Sequence, residues 1–281
     1  MGQDSQTGAW GTLSSLKDEP NEQPRTLPPF RVGKVLSDTF QTFFGNFFRF
    51  WAVSLLLIVP TVLGFWALGA FMIPDPDAPA PAATTGFFIS FFGTLAWAFV
   101  SIAVMMAAVT YGAIEYQTGR KAPLSDMLKM ALRSLFPVVV AMVLSGILYM
   151  IGWLLFIVPG IIVAMMLCVT IPAIVAEGLG PFKGLHRSRE LTTGFKWPIF
   201  GCLLVMLVVV QVANFALMIP MMFTGTTALD PSVTGWIIKA ATFILMGSMY
   251  AFMGSGVAAI YTNLRTAKEG VSADDIAAVF E

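Results

Sequence analysis

From Ser134 to Ala176 the chain runs for 43 residues without one Asp, Glu, Lys or Arg. A bilayer-spanning helix needs about 20 apolar residues at a rise of about 1.5 Å each, so this run is long enough to cross twice. Further charge-free runs cover Phe50–Pro74, Ala78–Ile114, Trp197–Leu229 and Ala240–Leu264. Only 11% of the 281 residues are charged and 57% are hydrophobic, with a mean hydropathy of +0.80, whereas soluble domains carry about 25% charged residues. The apolar runs are continuous rather than alternating, which excludes barrel strands. The fold class that follows is all-α: a polytopic integral membrane helical bundle.

Proline and glycine divide the runs into spans. Four prolines between Pro74 and Gly86 mark a loop, since proline interrupts regular hydrogen bonding. Pro159-Gly160, near the middle of the longest run, is a turn signal that makes it a tight hairpin. Six transmembrane helices result, at about 51–73, 87–114, 136–158, 161–176, 199–223 and 240–264. Pro60, Pro172 and Pro220 are expected to kink the first, fourth and fifth. Residues 1–30, polar and proline-rich, are expected to be a disordered cytoplasmic tail without a signal peptide. The membrane domain then covers 31–265, and 266–281 is a second tail in which Ser272–Asp275 caps a short helix. Cys168 and Cys202 fall in or beside spans and read as core thiols.

Basic residues orient the bundle, because cytoplasmic loops carry the excess of Lys and Arg. Fifteen of the sixteen lie before the first span, between spans two and three, between spans four and five, or after span six. The opposite face holds Lys239 with Asp75, Asp77 and Asp230. Both termini are therefore expected in the cytoplasm. The charges cancel overall, so no global field points to a nucleic-acid partner.

Two polar stretches share a pattern. Leu36-Ser37-Asp38 opens one with Leu36, Phe40, Phe43, Phe44 and Phe47 on one helical face, and Leu124-Ser125-Asp126 opens another with Leu124, Leu128, Ala131, Leu132 and Leu135 at the same offsets. Each leads into an odd-numbered span, as an interfacial amphipathic helix would. The match suggests a repeat of in-plane helix plus hairpin, although any interfacial helix entering a bilayer produces such a stripe. Pro181–Thr193 lacks it, because His186 and Arg189 occupy the corresponding face, and reads as a basic juxtamembrane helix instead of a third copy.

Reactive constellations are missing from the sequence. A single histidine, His186, excludes two-histidine zinc motifs, no phosphate-cradling glycine loop with its lysine occurs, and no aspartate lies in a span. Gly254-Ser255-Gly256 has no histidine in a span to activate it. Gly247, Ala251, Ser255 and Ala259 recur every four residues, which is a packing ridge for close helix approach. No cofactor or metal site is expected. Lys183, Arg187 and Arg189 are candidates to bind anionic lipid headgroups. Glu115 and Glu177, at the cytoplasmic ends of spans two and four, have basic neighbours Arg120, Lys121, Lys183 and Arg187 and read as ion-paired anchors. Gln211 and Asn214 in span five read as buried groups bonding between helices; together with the two glutamates they are also what a solute path would use.

Three stretches taken together, VLSDTFQTFFGNFF (Val35–Phe48), IPAIVAEGLGPFKGLHRSRELTTG (Ile171–Gly194) and IYTNLRTAKEG (Ile260–Gly270), resemble a family of uncharacterised six-span bacterial membrane proteins. That family is similar to the membrane domain fused to some glycerophosphoryl diester phosphodiesterases. Its members tend to carry an aromatic where Arg189 stands and an acid where Asn263 stands. The resemblance implies a multi-pass protein of the bacterial inner membrane without the phosphodiesterase barrel. The expected function is a non-enzymatic organising or regulatory module whose partners are membrane lipids, with a small-solute or lipid transporter or channel as the alternative. Self-association or a membrane-protein partner is left open.

Overall fold

A computed structural model describes residues 29–71, 80–224 and 233–270, and among them every regular element is a helix. Residues 1–28 and 271–281 of the expected tails, the capped helix after Ser272 and the acids Asp75, Asp77 and Asp230 lie outside the described residues. Hydropathy builds the long helices: α2 (Phe47–Phe71), α3 (Ala80–Gln117), α5 (Leu135–Leu155), α9 (Lys196–Thr224) and α10 (Val233–Glu269). The polar stretches fold as the short helices α1 (Val32–Gly45), α4 (Leu124–Arg133) and α8 (Pro181–Thr192). Two pieces, α6 (Ile157–Leu167) and α7 (Thr170–Glu177), together form one apolar stretch of span length. Among the described residues five helical stretches, in α3, α5, α6/α7, α9 and α10, are long and apolar enough to cross a membrane, or six if the bent pair α1–α2 counts as one.

Boundaries differ from the sequence expectation most clearly at the hairpin, at the break before Pro172 and at the ends of α3 and α10. The hairpin turns at Phe156, an extended residue (φ −176°, ψ 165°) between α5 and α6, and not at Pro159-Gly160. Pro159 falls in the first turn of α6, where a missing N–H leaves no hydrogen bond broken. Gly160 is instead what lets the two arms touch: a Cβ on Gly152 would lie 3.0 Å from the Gly160 Cα. Pro172 has its expected effect one turn upstream, where the helix breaks at Cys168-Val169 because a proline cannot bond the carbonyl four residues back. Pro60 and Pro220 lie inside helices that run on. Residues 80–86, expected in a loop, are already helical, and α10 continues to Glu269, five residues beyond the expected end of the last span.

The packing repeats three times. Each unit is a short helix, an outgoing long helix and a returning one: α1–α2–α3, then α4–α5–α6/α7, then α8–α9–α10. Every short helix lies against the outgoing and returning helices of the unit before it: α4 on α2 and α3, α8 on α5 and α7, and α1, closing the ring, on α9 and α10. The three returning helices α3, α7 and α10 meet in the middle, and each is followed by a glycine in the left-handed region: Gly119, Gly178 and Gly270.

The register repeats as well. Eight and four residues before the first residue of each outgoing helix, the side chain is buried in all three units: Thr39 and Phe43, Met127 and Ala131, Ser188 and Thr192. Three and six residues after it, Phe50 and Val53, Val138 and Ala141, Ile199 and Cys202 are buried. The joints of the first two units are built alike: Asn46 and Ser134 each return a side-chain hydrogen bond to the carbonyl four residues back, at 3.2 and 2.9 Å. At the first joint α1 and α2 bend by 73°. The basic helix α8, which lacks the apolar stripe, is thus the third copy in packing: it docks through Gly184, Ser188, Leu191 and Thr192 and leaves His186 and Arg189 outside.

Most buried side chains of the long helices lie in the half next to the short helices, here called the base. The packing ridge of α10 works as the spacing suggests, with Ala251, Ser255 and Ala259 buried and the Ser54 hydroxyl donating to the Gly247 carbonyl at 3.1 Å. Elsewhere the outer surface is apolar: Leu154, Met222 and Phe223 are more than 80% exposed. A surface of that kind suits lipid and not water, and the long apolar helices are compatible with a multi-pass membrane protein.

Candidate functional site at the base

Nine residues before each outgoing helix stands a charged side chain: Asp38, Asp126 and Arg187. Each sits where a short helix crosses the returning helix of the unit before. At the third junction Arg187 forms a clasp. Its Nε donates to both carboxylate oxygens of Glu177 at 3.0 Å, and its Nη2 donates to Glu269 Oε1. Glu177 Oε1 also accepts from the Tyr261 hydroxyl at 2.8 Å, while Arg265 Nε donates to Glu269 Oε2 at 3.1 Å. These two carboxylates and two guanidiniums, with side chains 13–26% exposed, pair with one another, and the more exposed Glu190 adds a third carboxylate 3.7 Å from Arg187 Nη1. Burial alone would lower the Arg187 pKa, but hydrogen bonds and charge from Glu177 and Glu269 outweigh it and hold the pKa above the ordinary guanidinium value.

Glu177 and Arg187 could be paired from their separation in sequence. Tyr261, Arg265 and Glu269 could not, since they reach the clasp only because α10 packs at the centre. Their trace in the sequence is the four-residue spacing of Arg265 and Glu269 on one helix face. Lys268 donates to the Glu190 backbone carbonyl and ties the same end of α10 to α8.

The basic residues of α8 divide by direction. Arg187 is held inside, whereas Lys183 and Arg189 are exposed alongside Phe182 (71% exposed) and His186. His186 Nε2 lies 3.2 Å from Glu190 Oε1. A shallow cleft of about 360 Å³ follows this face, lined by Glu177, Leu179, Phe182, Lys183, His186, Arg187 and Glu190.

Glu115 is buried at the end of α3, with Arg120 as the opposite charge acting on it and Asp126 as the like one. Gln211 and Asn214 depart from expectation. Both are exposed on α9, and the Asn214 amide donates to the Val210 carbonyl of its own helix at 3.1 Å, so they do not bond between helices. Spacing alone placed them in a span but could not say which face of it turns outward.

A second feature of the base combines residues that no local motif connects. Lys34, Asp38, Gln41 and Thr42 from α1, Tyr116 and Gln117 from α3, and Thr262, Asn263 and Thr266 from α10 line a cavity of about 410 Å³. Asn263 Nδ2 donates to Asp38 Oδ2 at 2.9 Å. The Thr262 hydroxyl donates to Gln117 Oε1 at 2.6 Å, and Gln117 Nε2 donates to Thr42 Oγ1 at 3.4 Å. Among the described residues no group of three or more His, Cys, Asp or Glu is placed to hold a metal ion.

Comparison with family models, with curated proteins and with solved structures finds no match to this chain.

Proposed function

We propose that the chain is a six-span protein of the bacterial inner membrane, with both termini cytoplasmic. Its base is a non-enzymatic platform that organises or regulates at the cytoplasmic leaflet by contacting anionic lipid. Membership among the proteins similar to the membrane domain of glycerophosphoryl diester phosphodiesterases, without their catalytic barrel, is part of the proposal. The observation that carries it is the division of labour on α8. Arg187 is spent on an internal clasp that fixes the helix, and Lys183 and Arg189 are left exposed beside Phe182. An aromatic and two cations on the outer side of a rigidly held helix at the end of a span are what a headgroup layer engages. The concentration of the buried core at the base supports a fixed platform. A transport reading would draw on Glu115, Glu177, Gln211 and Asn214; the two amide residues face outward, and Glu177, which lines two clefts at the base, is engaged by Arg187 and Tyr261.

The test is lipid retention. Each exposed base contributes about 1 kcal/mol toward an anionic surface, so a Lys183→Gln, Arg189→Gln double variant loses about 2 kcal/mol. Native mass spectrometry of the full-length protein with phosphatidylglycerol should then show retention about thirtyfold weaker, against unchanged retention of phosphatidylcholine. An identical headgroup preference in parent and double variant would sink the platform reading.

A further inference from the structure

The geometry points to the cavity between α1, α3 and α10 as a binding site for a zwitterion with a primary ammonium and an anionic oxo group. That chemistry is shared by a phosphoethanolamine lipid headgroup and a free amino acid.

Comparison of equivalent junctions within the molecule supports the assignment. Asp38 occupies on α1 the position that Arg187 occupies on α8, nine residues before the outgoing helix. The third junction is closed, because Arg187 hydrogen-bonds to Glu177 and Glu269 and lies 3.7 Å from Glu190. The first is open. Asp38 meets the neutral amide of Asn263, and about 410 Å³ remains between them and the neighbouring helix ends. Among the described residues neither Asp38 nor Lys34 forms a salt bridge, although both line the cavity one helical turn apart on the same face of α1. A carboxylate without a cation and an ammonium without an anion, at that spacing, ask for a ligand carrying both complements.

The remaining walls narrow the class. Every lining residue carries a polar side-chain group, and Thr42, Thr262 and Asn263 are more than nine-tenths buried. Most small-molecule sites place only a few polar groups in an apolar lining, whereas a polar group on every lining residue favours a small ligand that hydrogen-bonds at both ends. Its single lysine and single aspartate also select against a polyanion such as a nucleotide, whose phosphates need several cations. The volume falls within the range of about 300–1,000 Å³ that holds small ligands. Asp38 Oδ2 is fixed by Asn263, so the carboxylate is held in place for an ammonium at its other oxygen. Lys34, exposed at the rim, is placed for the anionic end.

The experiment uses the full chain in detergent and in nanodiscs. Calorimetric titration with O-phosphoethanolamine and with serine tests the soluble source. Native mass spectrometry after equilibration with phosphatidylethanolamine against phosphatidylcholine tests the lipid one. Saturable binding in either arm supports the site, and which arm responds identifies the source. Phosphocholine and phosphatidylcholine should bind at least about tenfold more weakly than their ethanolamine counterparts, because a quaternary ammonium cannot donate a hydrogen bond to Asp38. Asp38→Asn should weaken binding about tenfold or more. Lys34→Met, at an exposed position, should do the same with no change in the melting temperature of the ligand-free protein. Lys183→Gln with Arg189→Gln should leave this binding intact. Absence of binding by every probe, choline compounds binding as tightly as ethanolamine ones, or parental affinity in both the Asp38 and Lys34 variants would each overturn the assignment.

Discussion

A guanidinium that serves two carboxylates leaves both exposed to each other when it is removed. Arg187→Gln would set Glu177 and Glu269 side by side with Arg265 as the remaining partner. Removing one member of a partly buried charged hydrogen-bonded group costs about 1.5–3 kcal/mol. Thermal unfolding in detergent micelles should show that loss for Arg187→Gln, whereas Lys183→Gln and Arg189→Gln, both on the outer side of α8, should stay within about 0.5 kcal/mol of the parent. Adding Glu177→Gln to Arg187→Gln should recover part of the loss, because the abandoned carboxylate is then neutral. Equal melting temperatures for Arg187→Gln and Lys183→Gln would mean that the clasp contributes nothing to stability.

At the scale of elements, α8 shows how a helix can be held without an apolar stripe. Its inner face is small: a Cβ on Gly184 would come within 2.4 Å of Ile174 Cγ1, and the Ser188 hydroxyl donates to the Met166 carbonyl at 2.8 Å. Gly184→Leu should therefore force α8 off α7 and cost about 1–3 kcal/mol by overpacking. Because the same movement carries Arg187 away from Glu177, Gly184→Leu and Arg187→Gln should be less than additive in unfolding measurements; full additivity would separate docking from the clasp. The small face also explains what could be read in the sequence. Long helices and the stripes of α1 and α4 announce themselves by hydropathy, and Glu177 and Arg187 lie ten residues apart across one tight turn. The third copy stayed hidden because Gly184, Ser188 and Thr192 dock by closeness of approach and hydrogen bonding, which a search for large apolar residues passes over. The cavity stayed hidden for a different reason: its residues come from 34–42, 116–117 and 262–266, and only the ring closure of α1 onto α10 brings them together. Pro159-Gly160 misled because a turn dipeptide and a first-turn proline followed by a contact glycine look the same in one dimension.

For the whole molecule, the three-unit ring carries a consequence for orientation that no single segment does. Since α1, α4 and α8 pack against the same ends of the returning helices, all three share one side of the bundle. Fifteen of the sixteen Lys and Arg residues belong to that side or to the segments continuous with it, and this charge bias is what supports the proposed cytoplasmic base. A rigid base makes the orientation all-or-none, because no short helix can cross to the other face without breaking its contacts with the preceding unit. Cysteines placed one at a time at Ser37, Ser125 and Arg189, in a chain with Cys168→Ala and Cys202→Ser, should therefore react together. A membrane-impermeant maleimide should label all three in inverted vesicles and none in intact spheroplasts, while Thr227→Cys, in the segment between α9 and α10, should show the reverse. If Arg189→Cys were labelled from the opposite side to Ser37→Cys, α8 could not stand to α7 as α1 stands to α10, and the threefold arrangement would fail together with the orientation.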